Sequence, residues 1–254
     1  MESRLRCPLL PDSVCLCASH SEFLRDAVSE TADKVDDDKP LSKANKIMLF
    51  LILGAEFFWF MADNGISTFL NNYVIYGTHS ESTSTMILTI LGGVGSVAGF
   101  AVGGLIASKI GRKWTLFGGL GLTFVCYALW AILTFAIGLP IGKIPIWLFI
   151  IWFVKGFGMS LVHVNSFPMV VELCNSKKIG QFTGYYYAAS MSAQTITPIA
   201  LGALLYIPAF DWRFLPVYAG ACIAVSLAVF FFGKNVKSTK TEFKKGLEAL
   251  DAED

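Results

Sequence analysis

Glu56 and Asp63 stand seven residues apart in an otherwise apolar stretch, with Phe57, Phe58, Trp59 and Phe60 between them and Asn64 beside them. Seven residues return to nearly the same face of a helix, so both carboxylates share one side. Two carboxylates, an amide and aromatic rings suit a proton or sodium site beside a sugar-binding surface. The alternative is that Asp63 caps a helix break near Gly65 and that Glu56 bonds a neighbour. Further along, Lys155, His163 and Ser166 follow at intervals of eight and three, one helical stripe, with Ser160 and Asn165 close by. Lys155 would neutralise Glu56 or Asp63, hold a substrate hydroxyl, or snorkel to an interface. His163 would serve the same site or act only as an interhelical hydrogen-bonder. A third stripe, Tyr186, Ser190, Gln194 and Thr197, ends at Pro198. Hydroxyls and an amide beside aromatic rings fit a neutral polyol, or equally a set of bonds between helices.

These residues lie in a setting that is hard to reconcile with water. The chain has 254 residues, 54% hydrophobic and 15% charged, and a mean hydropathy of +0.59. Soluble domains are nearer a quarter charged. Lys and Arg number 20 against 19 acids, a formal charge of +1, which offers no basic excess for nucleic acid. Residues 1–45 hold nine of the acids, whereas residues 46–233 hold only Glu56, Asp63, Glu81, Glu172 and Asp211. Six apolar runs follow the acidic arm, each near the ~20 residues that cross a bilayer. They are about Ile47–Tyr73, Met86–Ile110, Trp114–Ile137, Ile146–Val171, Phe182–Tyr206 and Phe214–Phe232. They are too long and unalternating for barrel strands. The expected fold is therefore all-α and polytopic. A polar arm over 1–45 precedes a six-helix domain over 46–233, and a charged tail over 234–254 follows it. Phe243, Leu247 and Leu250 give the tail a helical spacing. Pro168 should kink or end the fourth helix.

Basic residues set the orientation. Lys109, Arg112 and Lys113 occupy one link, Lys177 and Lys178 another, and Lys39, Lys43, Lys46 and the lysines from Lys234 onward flank the domain. The intervening links carry none over 77–84, then Lys143, then Arg213. This alternation expects both termini on the cytoplasmic side of what reads as a cell membrane. The N-terminal arm is broken by Pro8, Pro11 and Asp12 and does not read as a signal peptide. Cys7, Cys15, Cys17, Cys126, Cys174 and Cys222 have no metal-ligand spacing, and no disulfide is expected. No Walker-type loop, His-Glu-x-x-His motif, potassium filter or Ser-His triad is legible, so no enzyme activity, metal or cofactor is expected. In the second run, Gly95, Gly99 and Gly103 form a bare stripe that lets a neighbouring backbone approach, as static packing or as a sliding contact.

The link Gly103-Gly104-Leu105-Ile106-Ala107-Ser108-Lys109-Ile110-Gly111-Arg112-Lys113 resembles the signature loop of the major facilitator superfamily, with Gly104, Gly111, Arg112 and Lys113 at matching positions. Ser108 replaces the usual Asp, which questions the charge relay that latches the cytoplasmic side in that family. Asn165-Ser166-Phe167-Pro168-Met169, Lys178-Ile179-Gly180 and Thr183-Gly184-Tyr185-Tyr186 are similar to the region spanning the tenth and eleventh helices of glycoside-pentoside-hexuronide:cation symporters and sucrose-transporter-like proteins. The resemblance covers about residues 42–233. It implies twelve helices in two halves with substrate at the midplane, of which this chain matches the C-terminal half. A truncated product, a half with a separate partner, and a homodimer all follow, and truncation is the first expectation.

The leading expectation is half of a secondary transporter for a sugar or similar small polar solute, moved in symport with a proton or sodium ion. Glu56, Asp63 and Lys155 would couple the cation. Asn64, Trp59, His163, Asn165, Tyr186 and Gln194 would contact the solute. The rival is a non-transporting six-helix membrane protein whose charges serve folding or partner binding.

Overall fold

The computed structural model describes residues 43–173, 178–207 and 210–232. The arm over 1–42, Cys174, the lysine at position 177 and the tail lie outside the described residues. Among those described there are six long helices and no strand. We label them α1 (Lys43–Asn72), α2 (Ser82–Ile110), α3 (Arg112–Ile137), α4 (Ile146–Glu172), α5 (Ile179–Leu205) and α6 (Phe214–Phe231). All six are long and apolar enough to cross a bilayer. In hydrocarbon every backbone group must bond within its own segment, which is why these runs are helices and nothing else. The ends fall within four residues of those expected from sequence.

α1 is unbroken across Gly65 and continues into a π-helical turn, Tyr73–Gly77. A Cβ at Gly65 would sit 2.8 Å from the Tyr218 ring of α6. The glycine is there for close packing, and the helix break offered as the alternative role for Asp63 is absent. α4 likewise runs through Pro168 to Glu172 instead of ending there. Proline removes one backbone bond, and in a membrane helix the packed neighbours Met169 and Val170, both buried, hold the segment. α5 passes Pro198 in the same way.

Two groups of helices form the unit. α4 packs against α2 and α3, while α1 packs against α5 and α6, and α3 meets α6. Glycine drives the first group together. A Cβ at Gly95 would collide with the Phe153 carbonyl oxygen, and one at Gly99 would collide with Ser160 Oγ. On the other side of α4, a Cβ at Gly119 would lie 2.7 Å from the Gly158 carbonyl. Bare backbones in contact maximise dispersion where lipid supplies no hydrophobic drive. The expected Gly95–Gly99–Gly103 stripe is thus the α2–α4 contact, reinforced by Ser96 Oγ donating to the Gly156 carbonyl at 3.1 Å. Ser226 Oγ donates to the Ala55 carbonyl at 2.8 Å and ties α6 to α1. Trp130 Nε1 donates to the Tyr73 hydroxyl at 3.2 Å and ties α3 to the π-helical turn that follows α1. Outward faces are apolar, with Phe50, Val97, Leu105, Ile146 and Ile199 exposed where lipid tails would lie.

The three lysine-poor links gather at one end. Gly142 N donates to the Thr78 carbonyl at 2.8 Å, and Tyr76 stacks on Trp212. Asp211 Oδ1 accepts from Trp212 N at 2.6 Å and steadies the last of them. Cys126 and Cys222 are buried free thiols.

Candidate functional site

The seam between the two helix groups opens into a groove of about 510 Å³ walled by α1, α2 and α4. Each wall delivers its polar groups from one helical stripe. α1 gives Asp63, Ser67 and Asn71 at steps of four; α2 gives Thr85, Thr89, Gly92 and Ser96 at steps of four, three and four. α4 gives Trp152, Lys155, Met159 and His163 at steps of three, four and four. Gly92 and Gly93 keep the α2 wall low, so the groove reaches the α4 side chains behind it.

One ion pair spans the groove. Lys155 Nζ donates to Asp63 Oδ1 at 2.6 Å, with side chains 12% and 26% exposed. The ammonium also lies 6.0 Å from the centre of the Trp152 ring, within cation–π range. A charge in hydrocarbon costs at least about 2.5–3.5 kcal/mol, so two opposite charges that meet in a groove offset each other's burial. Of the two acids expected to use Lys155, Asp63 alone receives it. Snorkelling is excluded by that bond.

Glu56 sits elsewhere. It is fully buried, does not line the groove, and neither of its carboxylate oxygens has a hydrogen-bond partner. The Tyr186 hydroxyl faces it from α5 and also lies 2.9 Å from Ser166 Oγ of α4, where either oxygen can donate. One turn on from Glu56, Trp59 and Phe60 stack at 4.1 Å between ring centres, and His163 stands edge-on against both.

Of the residues expected to contact the solute, His163 lines the groove and the others do not. Trp59 is buried against His163. Asn64 lies one position round the helix from Asp63 and donates Nδ2 to its own Phe60 carbonyl at 2.9 Å. Asn165 is buried and donates to Leu161 in the same manner. Tyr186 is 7% exposed and packs on Phe167. Gln194 is half-buried on α5, which adds no wall to the groove. On that helix, Ser190 and Thr197 bond carbonyls four residues back. Ser160, named beside the α4 stripe, lines the groove too, and so do Ser67, Asn71, Thr85, Thr89 and Ser96, which the sequence reading passed over. Their four-residue spacing was visible, but hydroxyl residues on membrane helices commonly bond their own backbone.

A family model described as the Major Facilitator Superfamily matches residues 49–251. The chain belongs to the major facilitator superfamily. No curated protein matches it. The superfamily is one of membrane transporters, so the groove belongs to a transport protein with a multi-pass, lipid-embedded unit.

The link expected to be the signature loop joins α2 to α3. Gly111 takes φ +97°, a backbone that side chains rarely adopt, and both ends α2 and starts α3. Gly104 is exposed on α2 with open space where a side chain would go. Arg112 Nε pairs with Glu172 Oε1 at 3.1 Å, joining the start of α3 to the end of α4. Lys113 follows in the first turn of α3. Ser108 Oγ donates to Leu105 of its own helix at 2.8 Å. Arg112 thus has a carboxylate partner at the end of α4, Glu172.

Proposed function

We propose that this chain forms a six-helix unit of a secondary transporter that moves a sugar, or a similar small polar solute, in symport with a cation. The observation that carries the reading is the Asp63–Lys155 pair facing a hydroxyl-lined groove. The pair sums to zero charge, so the groove favours a neutral solute over a free acid or amine. Ser67, Asn71, Thr85 and Thr89 offer donors and acceptors to hydroxyls, and Trp152 offers an aromatic face. We assign Glu56, Asp63 and Lys155 to coupling. His163 joins the hydroxyl ladder at the solute. Asn64, Trp59, Asn165, Tyr186 and Gln194, which lie behind the groove, serve as the packed layer that holds those groups in place.

The transporter unit is assigned to 46–233, with 1–45 and 234–254 as flanking cytoplasmic segments. The lysine-rich links then face the cytoplasm of a cell membrane, and the Arg112–Glu172 pair lies at that end. A second six-helix unit faces the groove, whether from a longer polypeptide, a separate chain or another copy. This reading includes no catalytic step. The test is uptake of labelled neutral sugars into membrane vesicles from cells that make the protein and cells in which its gene is deleted. The reading expects gradient-driven accumulation in the first and none in the second. Equal uptake of every sugar in both would overturn it.

A further inference from the structure

We infer that the Tyr127 hydroxyl, which approaches from α3 behind the groove, is a second seat for the Lys155 ammonium, taken when a solute draws Asp63 away. Use of the seat during transport rests on the reading above, whereas the seat itself rests on geometry. Tyr127 is fully buried, and its hydroxyl has no hydrogen-bond partner among the described residues. A phenylalanine would fill the same place without leaving a polar atom unpaired, so the oxygen calls for a use. The group it faces is the ammonium of Lys155.

The two groups differ in freedom. α3 adds no wall to the groove, and Tyr127 does not line it. Its ring stands 6.5 Å from that of Trp130, which in turn stands edge-on at 5.2 Å from Trp152, the ring beside the ammonium. Gly220 of α6 lies against its Cβ. The hydroxyl is therefore fixed by packing, whereas the ammonium ends a flexible four-carbon stem. An ammonium carries three donors, and here one goes to Asp63 at 2.6 Å. Cys126 and His163 also lie within its electrostatic reach. A thiol is a weak acceptor, and the His163 ring is set edge-on to Trp59 and Phe60. Tyr127 is the better alternative.

Solute hydroxyls that bond to Asp63 compete with Lys155 for the carboxylate. A buried ammonium released without a partner is costly, and it would return to Asp63 and expel the solute. A neutral oxygen one pivot away lowers that cost without adding a charge. The ion pair can then open for the solute and close again after release. No proton or electron is exchanged; the ammonium trades one acceptor for another. Tyr127 is thus a positioning residue that acts through Lys155.

Thermal unfolding of the purified full chain in lipid nanodiscs tests the seat with no solute present. Tyr127→Phe is placed in the wild type, in Asp63→Asn and in Lys155→Met. In the wild type and in Lys155→Met it should move the melting temperature by no more than about 1 °C. In Asp63→Asn, where the ammonium has turned to Tyr127, it should remove at least about 3 °C more. A packing role alone would shift all three backgrounds alike; that result, or no extra loss in Asp63→Asn, would overturn the proposal. Solid-state NMR decides the matter if Asp63→Asn fails to fold. Wild-type protein with 15N at lysine Nζ and 13C at tyrosine Cζ should give a through-space cross peak that vanishes in Tyr127→Phe. Absence of that peak from the wild type would equally overturn it. Vesicle uptake of labelled sugars reads transport separately. No uptake by the wild type sinks the symport reading and leaves the seat standing, whereas shifts alike in all three backgrounds sink the seat alone.

Discussion

Lys155 and Asp63 lie ninety-two positions apart in the chain and meet at 2.6 Å across the seam between α4 and α1. The two helices belong to different packing groups, so this pair is both a link between the groups and the polar centre of the groove. Those two roles make it separable by substitution. Asp63→Asn strands a positive charge, and Lys155→Met strands a negative one. Each should lower stability by about 3–5 kcal/mol, as loss of one partner of a buried pair does. The double variant should recover most of that loss while remaining inactive in transport. Thermal unfolding in detergent across the four proteins gives the coupling; equal effects that simply add would dissolve the link.

Glycine in α2 is used for contact at some positions and not at others. Gly99→Ala must push Ser160 or part the helices, and should cost about 1–3 kcal/mol. Gly93 and Gly104 have open space where a Cβ would sit, so Gly93→Ala and Gly104→Ala should match or slightly exceed wild-type stability. The yield of monodisperse protein ranks the three, and a ranking with Gly104→Ala worst would refute the packing account.

Arg112 is 42% exposed beside Glu172. A pair that open should contribute no more than about 1 kcal/mol to stability. Glu172→Gln should therefore leave the melting temperature almost unchanged. If the pair latches the cytoplasmic end, the same variant should raise labelling of a cysteine placed at Ser108, and the swap Arg112→Glu with Glu172→Arg should restore protection. Unchanged labelling in all three would remove the latch.

Orientation is checked by impermeant maleimide on intact cells, with native cysteines replaced. A cysteine at Gly142 should label from outside, and one at Ser108 only after permeabilisation. Reversal of the two would invert the proposed topology and move the Arg112–Glu172 pair to the outer face.

The six helices were legible because lipid leaves one solution for a long apolar run, and both ends of each run are marked by charge, Gly or Pro. Their interior was less so. Gly65 and Pro168 look like breakers, yet Gly65 is filled by Tyr218 and Pro168 is held by its packed neighbours, contacts that no single-helix pattern contains. An ion pair was readable because acids and a lysine in lipid demand partners; which acid takes Lys155 depends on the helix pairing. Asn64 and Asn71 show the remaining limit. Both are asparagines on α1, but Asn64 turns to its own backbone, whereas Asn71 Oδ1 accepts from Thr85 Oγ1 at 3.1 Å at the groove. The two stand on nearly the same face of the helix, so the difference is set by what lies opposite, Thr85 of α2 in the case of Asn71.

The most direct test of the account is gradient-driven sugar uptake in vesicles carrying wild-type protein or Asp63→Asn, alongside the amount of folded protein in each. The account predicts accumulation by the wild type, collapsing with the imposed cation gradient, and none by the variant even when normalised to folded protein. Uptake by Asp63→Asn equal to wild type, or loss confined to the folded amount, would contradict it.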